Sequence, residues 1–215
     1  MNALTLAMRT LLREWKSGEL GVLLLAITVA VSALTCVGFL VDRIGIAVDS
    51  QAGEVLAADL RLESGQPMDD KAIQEAQRRN LEVARHTGVF SVVFNGDFNQ
   101  LTSLRAVSAK YPLRGKVMLS DEPFGAPERV QGIPARGEVW PDSRLAAALG
   151  ASVGTTLHIG ASTFKVSRIL ISRPDQGATF LELAPSLLMN EEDLDATQLI
   201  QPGSRVLRAQ LFAGE

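Results

Sequence analysis

The chain has 215 residues, 47% of them hydrophobic, with 21 Lys and Arg against 24 Asp and Glu and a formal charge of −3. That balance lacks the basic field a nucleic-acid partner needs, and the ordinary aliphatic content with interior turn signals excludes extended disorder. One cysteine, Cys36, excludes a disulfide framework, so any exported portion must fold on its apolar core alone.

In "LTLAMRTLLREWKSGEL" the residues Leu4, Met8, Leu11, Leu12 and Trp15 recur on one face of an α-helix, and Arg9, Arg13 and Lys16 fall largely off it. The pattern predicts an amphipathic helix over residues 1–19 lying on the cytoplasmic membrane surface. Trp15 would sit at headgroup depth, with Arg9, Arg13 and Lys16 as the other interface anchors. A straight extension of the next helix is the plainer alternative; the regular stripe and the helix-weakening Gly18 favour the interfacial arrangement.

From Leu20 to Val41 there is no charge over 22 residues. A helix of that length is about 33 Å long, enough for a hydrocarbon core of about 30 Å and longer than the apolar region of a cleavable signal. Cys36 follows Thr35 inside the run, so it reads as a small residue in an apolar helix rather than a lipid attachment point. Arg9, Arg13 and Lys16 before the run place the N-terminus in the cytoplasm by the positive-inside rule, and everything after Asp42 outside. The remaining 174 residues suffice for one sizeable domain or two small ones.

The exported part starts with a predicted strand, "AADLRLES", followed by a helix in "MDDKAIQEAQRRN" with Asp69 as N-cap. Two strands, "GVFSVVF" and "FNQLTSLRAV", flank Asn95, Gly96 and Asp97, a strong hairpin signal. From Tyr111 to "ARGEVW", prolines break the chain into short pieces. "PDSRLAAALG" predicts a helix capped by Asp142 and stopped by Gly150. "TTLHIG" and "STFKVSRIL" predict a second hairpin, "FLELAPSLLMN" a strand, "EEDLDAT" an acidic helix start, and "SRVLRAQLFA" a final strand. The class is α+β.

"GASVG" around Ser152 fits the pattern of a serine-hydrolase elbow, but that turn needs a strand before it and a helix after it, and here the order is reversed. Gly150 and Gly154 are one residue too close for a phosphate loop, and Thr155 stands where Lys is needed. His86 and His158 lack a second ligand at metal spacing, and the acids Asp69, Asp70, Glu191, Glu192 and Asp193 sit at helix starts, where negative charge is structural. No catalytic, cofactor-binding or metal-binding residue is expected.

The segments "REWKSGELGVLLLA", "AADLRLES", "AVSAKYPLRG", "GEVWPDSRLAAALGASVGTTLHIGASTFKV" and "LAPSLLMNEEDLDATQLIQPGSRV" occur in an order and spacing that resembles the N-terminal part of ABC-transporter permeases of the FtsX/MacB type, most closely the YbbP-like branch linked with lysophospholipase L1. The resemblance implies a MacB-like periplasmic domain. Residues 57–110 and 174–215 would form a porter-like α+β part, incomplete at its C-terminus, and residues 111–173 an inserted β-rich subdomain. Residues 42–56 would be a helical stalk, although Gly45 and Gly53 weaken that pattern.

It also implies a non-catalytic inner-membrane subunit, with ATP bound by a cytoplasmic ABC ATPase and further spanning helices beyond Glu215. ATP-driven motion would be transmitted to the external domain to export or extract lipids or other hydrophobic compounds. Membrane lipids, a second permease half in a pseudo-dimer or homodimer, and a periplasmic esterase or lysophospholipase are the implied partners; no nucleic acid is. A signal-anchored periplasmic binding or adaptor module working without an ATPase is the alternative. Three positions depart from the family pattern: Thr155 replaces an expected Asp, Arg173 an expected acid, and Ser186 an expected Arg. All three read as surface or turn positions.

Overall fold

The computed structural model describes residues 19–176 and 184–214, and the chain divides into two compact units, residues 1–50 and 51–215. The predicted interfacial helix, with Arg9, Arg13, Trp15 and Lys16, lies outside the described residues. Helix α1 spans Glu19–Leu56, so the backbone stays helical through Gly45 and Gly53. Within it Gly21–Ile44 is long and apolar enough to cross a membrane, and none of it is buried inside the protein. Its hydroxyls are satisfied locally: Thr28 Oγ1 donates to the Leu24 carbonyl and Thr35 Oγ1 to the Val31 carbonyl, both at 2.7 Å.

The second unit runs β1 (Leu60–Ser64), α2 (Lys71–Arg78), β2 (Glu82–Asn95), β3 (Phe98–Val107), β4 (Val117–Ser120), β5 (Glu128–Val130), β6 (Glu138–Pro141), α3 (Ser143–Leu149), β7 (Thr156–Ile159), β8 (Ser162–Val166), β9 (Ile169–Ser172), β10 (Ser186–Asn190) and β11 (Val206–Ala213). Eight strands form one sheet in the order β1-β11-β2-β3-β10-β6-β8-β7, and β7 pairs again with β2 through Val93↔Ile159 and Phe94↔His158. Strands β2, β3, β10, β6, β8 and β7 therefore close into a ring, with β11 and β1 continuing from β2. Residues on both sides of the prolines at 112–134 supply strands to this ring.

Alternation along each strand separates two cores. Inside the ring lie Val89, Val93, Leu104, Ala106, Leu157, Ile159, Phe164, Val166, Leu187 and Met189, closed off by Leu145 and Leu149 of α3. On the outer face Ala84, Val107, Trp140, Leu188 and Leu211 meet Tyr111, Val117, Leu119 and Leu170 of a separate three-stranded sheet, β5-β4-β9.

Most of the expected elements form. Asp142 caps α3 by accepting from the Leu145 amide at 2.7 Å, and Gly150 ends it in the left-handed region at φ 59°. At α2, Asp70 occupies the N-cap position without a side-chain bond, while Asp69 Oδ1 accepts from the Lys71 amide at 3.2 Å. The predicted strand "STFKVSRIL" divides into β8 and β9, which belong to different sheets. The phase of its apolar residues, Phe164 and Val166 and then Ile169, already skips a position at the break. "EEDLDAT" forms two 3-10 turns, Glu191–Asp193 and Asp195–Thr197, with Asn190 rather than an acid as the cap. β2 starts six residues before the apolar run at Gly88, because β11 pairs with it as far as Glu82.

Candidate functional site

Three features of the second unit stand out. The first is the exit from α1. Ala57 follows Leu56 at φ 56°, and both Ala57 and Ala58 are fully buried. The Ala57 carbonyl accepts from the amides of Leu113 and Arg114, each at 3.0 Å. Arg114 then grips Asp59 with both prongs of its guanidinium, Nε to Oδ1 and Nη2 to Oδ2 at 2.8 Å, and also donates to the Gly214 carbonyl. The Gly214 amide donates to Asp59 Oδ2 at 3.0 Å. A planar fork matched to a carboxylate fixes direction as well as distance. Ala57 just after the helix, the approach to β1 and the end of β11 are thus fastened at one point. Arg114 holds the Asp59 carboxyl below its ordinary pKa, partly opposed by desolvation.

The second feature is a buried ionic network on the outer face of the ring. Arg105 of β3 pairs with Asp175 Oδ2, the Tyr111 hydroxyl donates to Asp175 Oδ1 at 2.8 Å, Arg173 Nε lies 3.3 Å from Oδ1, and Arg61 Nη1 of β1 lies 3.6 Å from Oδ2. Arg61 also pairs with Glu63. Arg173 Nη1 donates to Ser186 Oγ at 3.0 Å, and the Ser186 amide donates to Asp142 Oδ2 at 2.8 Å. Arg173 and Ser186 are 6% and 4% exposed, which corrects their assignment to the surface. These two departures from the family pattern touch each other: where an acid and an Arg are expected, a buried Arg and a hydroxyl share a hydrogen bond.

His86 sits among these cations with neither ring nitrogen hydrogen-bonded. Burial first, then the charges of Arg105, Arg61 and Arg173, push its pKa down to about 2, so it is a neutral core residue.

The third feature is an apolar stripe on the outside of the β2–β3 hairpin. Phe90, Val92 and Phe94 alternate on the face opposite the core, and Leu101 lies directly across from Val92. Phe90, Phe94 and Leu101 are 43%, 46% and 52% exposed, and Phe98 extends apolar surface to the hairpin tip. A groove of about 520 Å³ starts at Phe90 and is lined by Gly65, Gly88, Val89, Ser204, Arg205, Val206 and Leu207. These side chains form one exposed apolar stripe across the two strands.

Ser152 lies between the end of α3 and β7, so the helix-before-strand order holds; its amide donates to Thr155 Oγ1 at 3.0 Å. His158 is exposed on β7. Among the described residues no group of three His, Cys, Asp or Glu could hold a metal ion. Sequence reasoning missed the fastening and the ionic network because their members are far apart in the chain. Apolar residues at the alternate positions Phe90, Val92 and Phe94, beside a second apolar set at Val89 and Val93, were the available signal for the stripe.

No family model matches the sequence. Over 202 residues, 94% of its length, the chain is 34% identical to a protein of Escherichia coli (strain K12) described as an uncharacterized ABC transporter permease, YbbP. The chain spans about a quarter of that relative, 24% of its length.

Proposed function

From a chain that is homologous over 94% of its length to an ABC transporter permease, we propose a segment of the non-catalytic membrane subunit of an inner-membrane ABC system. In this reading, of the FtsX/MacB type, the N-terminus is cytoplasmic and residues after about 42 are periplasmic. Residues 57–110 with 174–215 act as the porter-like part and residues 111–173 as the insertion. A cytoplasmic ATPase binds and hydrolyses ATP, and this chain converts the ATPase's motion into displacement of the external domain.

The observation that carries the coupling is the fastened exit of α1. The helix that contains the apolar span Gly21–Ile44 continues to Leu56; the Ala57 carbonyl is then held by the Leu113 and Arg114 amides and the Asp59 carboxylate by the Arg114 guanidinium. A Gly- or Ser-rich linker at this point would dissipate displacement; buried alanines and a bidentate ion pair transmit it. The cargo in this reading is hydrophobic, received on Phe90, Val92, Phe94 and Leu101. The partnership with a second permease half and with a periplasmic esterase belongs to the same proposal.

Co-purification of the full-length protein with an ABC ATPase tests the reading, together with cargo-stimulated ATP hydrolysis by the complex. Arg114→Ala is expected to leave the complex assembled and basal hydrolysis intact while lowering cargo extraction at least about fivefold. Phe90→Ser with Leu101→Ser is expected to lower cargo stimulation and to change stability by less than about 1 kcal/mol, since both side chains are half exposed. Failure of the full-length protein to bind any ATPase overturns the proposal in favour of an anchored adaptor.

A further inference from the structure

The outer face of the three-stranded sheet carries a second cavity, of about 350 Å³, bounded by Gly115, Lys116, Met118, Arg129, Ser172 and Arg173 together with Pro174. Met118 is paired directly with Arg129 on one side and Ser172 on the other, so these three side chains stand in a row across β5, β4 and β9 on one face. Lys116, two residues before Met118, shares that face as the chain enters β4. Val117 and Leu119 point the other way into the core.

Three of the bounding residues are basic and none is acidic. Arg173 is answered by Asp175 and Ser186, but Lys116 and Arg129 have no ion pair among the described residues. Two of the acids nearest in sequence are already engaged, and Glu122, the third, is exposed with no ion pair among the described residues and does not border the cavity. Glu128 lies on the opposite face of β5 and pairs with Arg168 at 2.7 Å, and Asp121 pairs with the same Arg168 at 3.0 Å. In a domain with an excess of acids, two unanswered cations over a concave site with a buried guanidinium at its edge create a local anion trap.

We propose that this cavity binds an organic phosphate, with the phosphate oxygens held by Lys116, Arg129 and Ser172 Oγ and the substituent resting on Met118 and Pro174. A tetrahedral anion with several acceptor oxygens suits one ammonium, one guanidinium fork and one hydroxyl converging from three strands. The volume lies at the lower end of small-molecule sites, about 300 to 1,000 Å³, which leaves room for a glycerol-sized substituent beside the anion. The phosphate can arrive as a soluble ester or as the headgroup of a lipid. The site is separate from the apolar stripe and does not depend on the permease reading.

Two measurements on the full-length protein test it. Purified protein in a neutral detergent is titrated with glycerol 3-phosphate by calorimetry, and the same protein in nanodiscs is irradiated with phosphatidylglycerol carrying a photoreactive group on its headgroup. Wild type is expected either to bind glycerol 3-phosphate, identifying a soluble ester, or to cross-link the headgroup within residues 115–130 or 172–174, identifying a lipid. In either arm Lys116→Ala with Arg129→Ala should weaken the signal at least about tenfold, the scale of a lost charge-assisted hydrogen bond. The exposed pair Lys71→Ala with Lys165→Ala, which removes the same charge elsewhere, should not. Absence of both signals, or signals that the Lys116/Arg129 variant leaves unchanged, overturns the proposal.

Discussion

His86 and Asp175 occupy the same buried network and have opposite effects on it. His86 contributes no hydrogen bond and is held neutral, its pKa near 2 when folded against an ordinary value of 6.5. Between those values the unfolded chain binds a proton that the folded chain refuses. Stability is therefore complete above pH 6.5 and declines as pH falls, by up to about 1.4 kcal/mol per unit. His86→Leu should remove that acid slope and raise stability at pH 7 by about 1 kcal/mol, because an unsatisfied buried polar ring is replaced by an apolar side chain. Thermal melts of both proteins at pH 7 and pH 5 check this, and equal shifts in the two would contradict it. Asp175 is the carboxylate on which Arg61, Arg105 and Arg173 converge. Asp175→Asn keeps the size but removes the counter-charge, so a loss of about 3 to 5 kcal/mol is expected in the same melts.

Among the elements, the two hairpin turns of the ring each centre on a left-handed glycine and differ in context. Gly96 in the β2–β3 turn and Gly160 in the β7–β8 turn both adopt φ 57°. A Cβ on Gly96 would meet nothing within 4 Å, whereas one on Gly160 would lie 2.1 Å from the Thr197 carbonyl oxygen, in the second 3-10 turn. Ala161 donates its amide to that same carbonyl at 2.9 Å, so the turn cannot retreat without breaking a bond. Gly96→Ala should cost about 1 kcal/mol for the left-handed backbone alone. Gly160→Ala should cost at least about 3 kcal/mol, since clash and lost bond are added. Denaturation midpoints of the two variants provide the comparison, and similar values would show that the 3-10 turn yields freely. Both hairpins were legible in the sequence, the first by Asn-Gly and the second by the strand patterns flanking Gly160, but nothing local marks the close approach of Thr197 to the second.

For the whole molecule, the flank charges before Leu20 predict that the second unit faces away from the cytoplasm. Asp97 is exposed at the hairpin tip, so Asp97→Cys in a Cys36→Ser background should react in intact cells with a membrane-impermeant maleimide. Labelling only after lysis would reverse the orientation. The carrier of external motion in the proposed function is the junction at Leu56–Asp59, and its partner Arg114 lies 55 residues further along the chain. No period or motif links these positions.

The sequence by itself determined the apolar span, the hairpin at Asn95–Asp97, the capped helix Ser143–Leu149, the α+β class and the likeness to ABC-transporter permeases. Each of these rests on interactions within a few residues or on a pattern repeated along the chain. Tertiary structure alone decided that β7 returns to β2 to close a ring, that β8 and β9 part into different sheets, and that Arg173 and Ser186 are buried partners. It also decided that Lys116, Arg129 and Ser172 share one cavity. Strand order, burial and charge balance depend on which distant segments meet, and a local pattern carries no record of its partner.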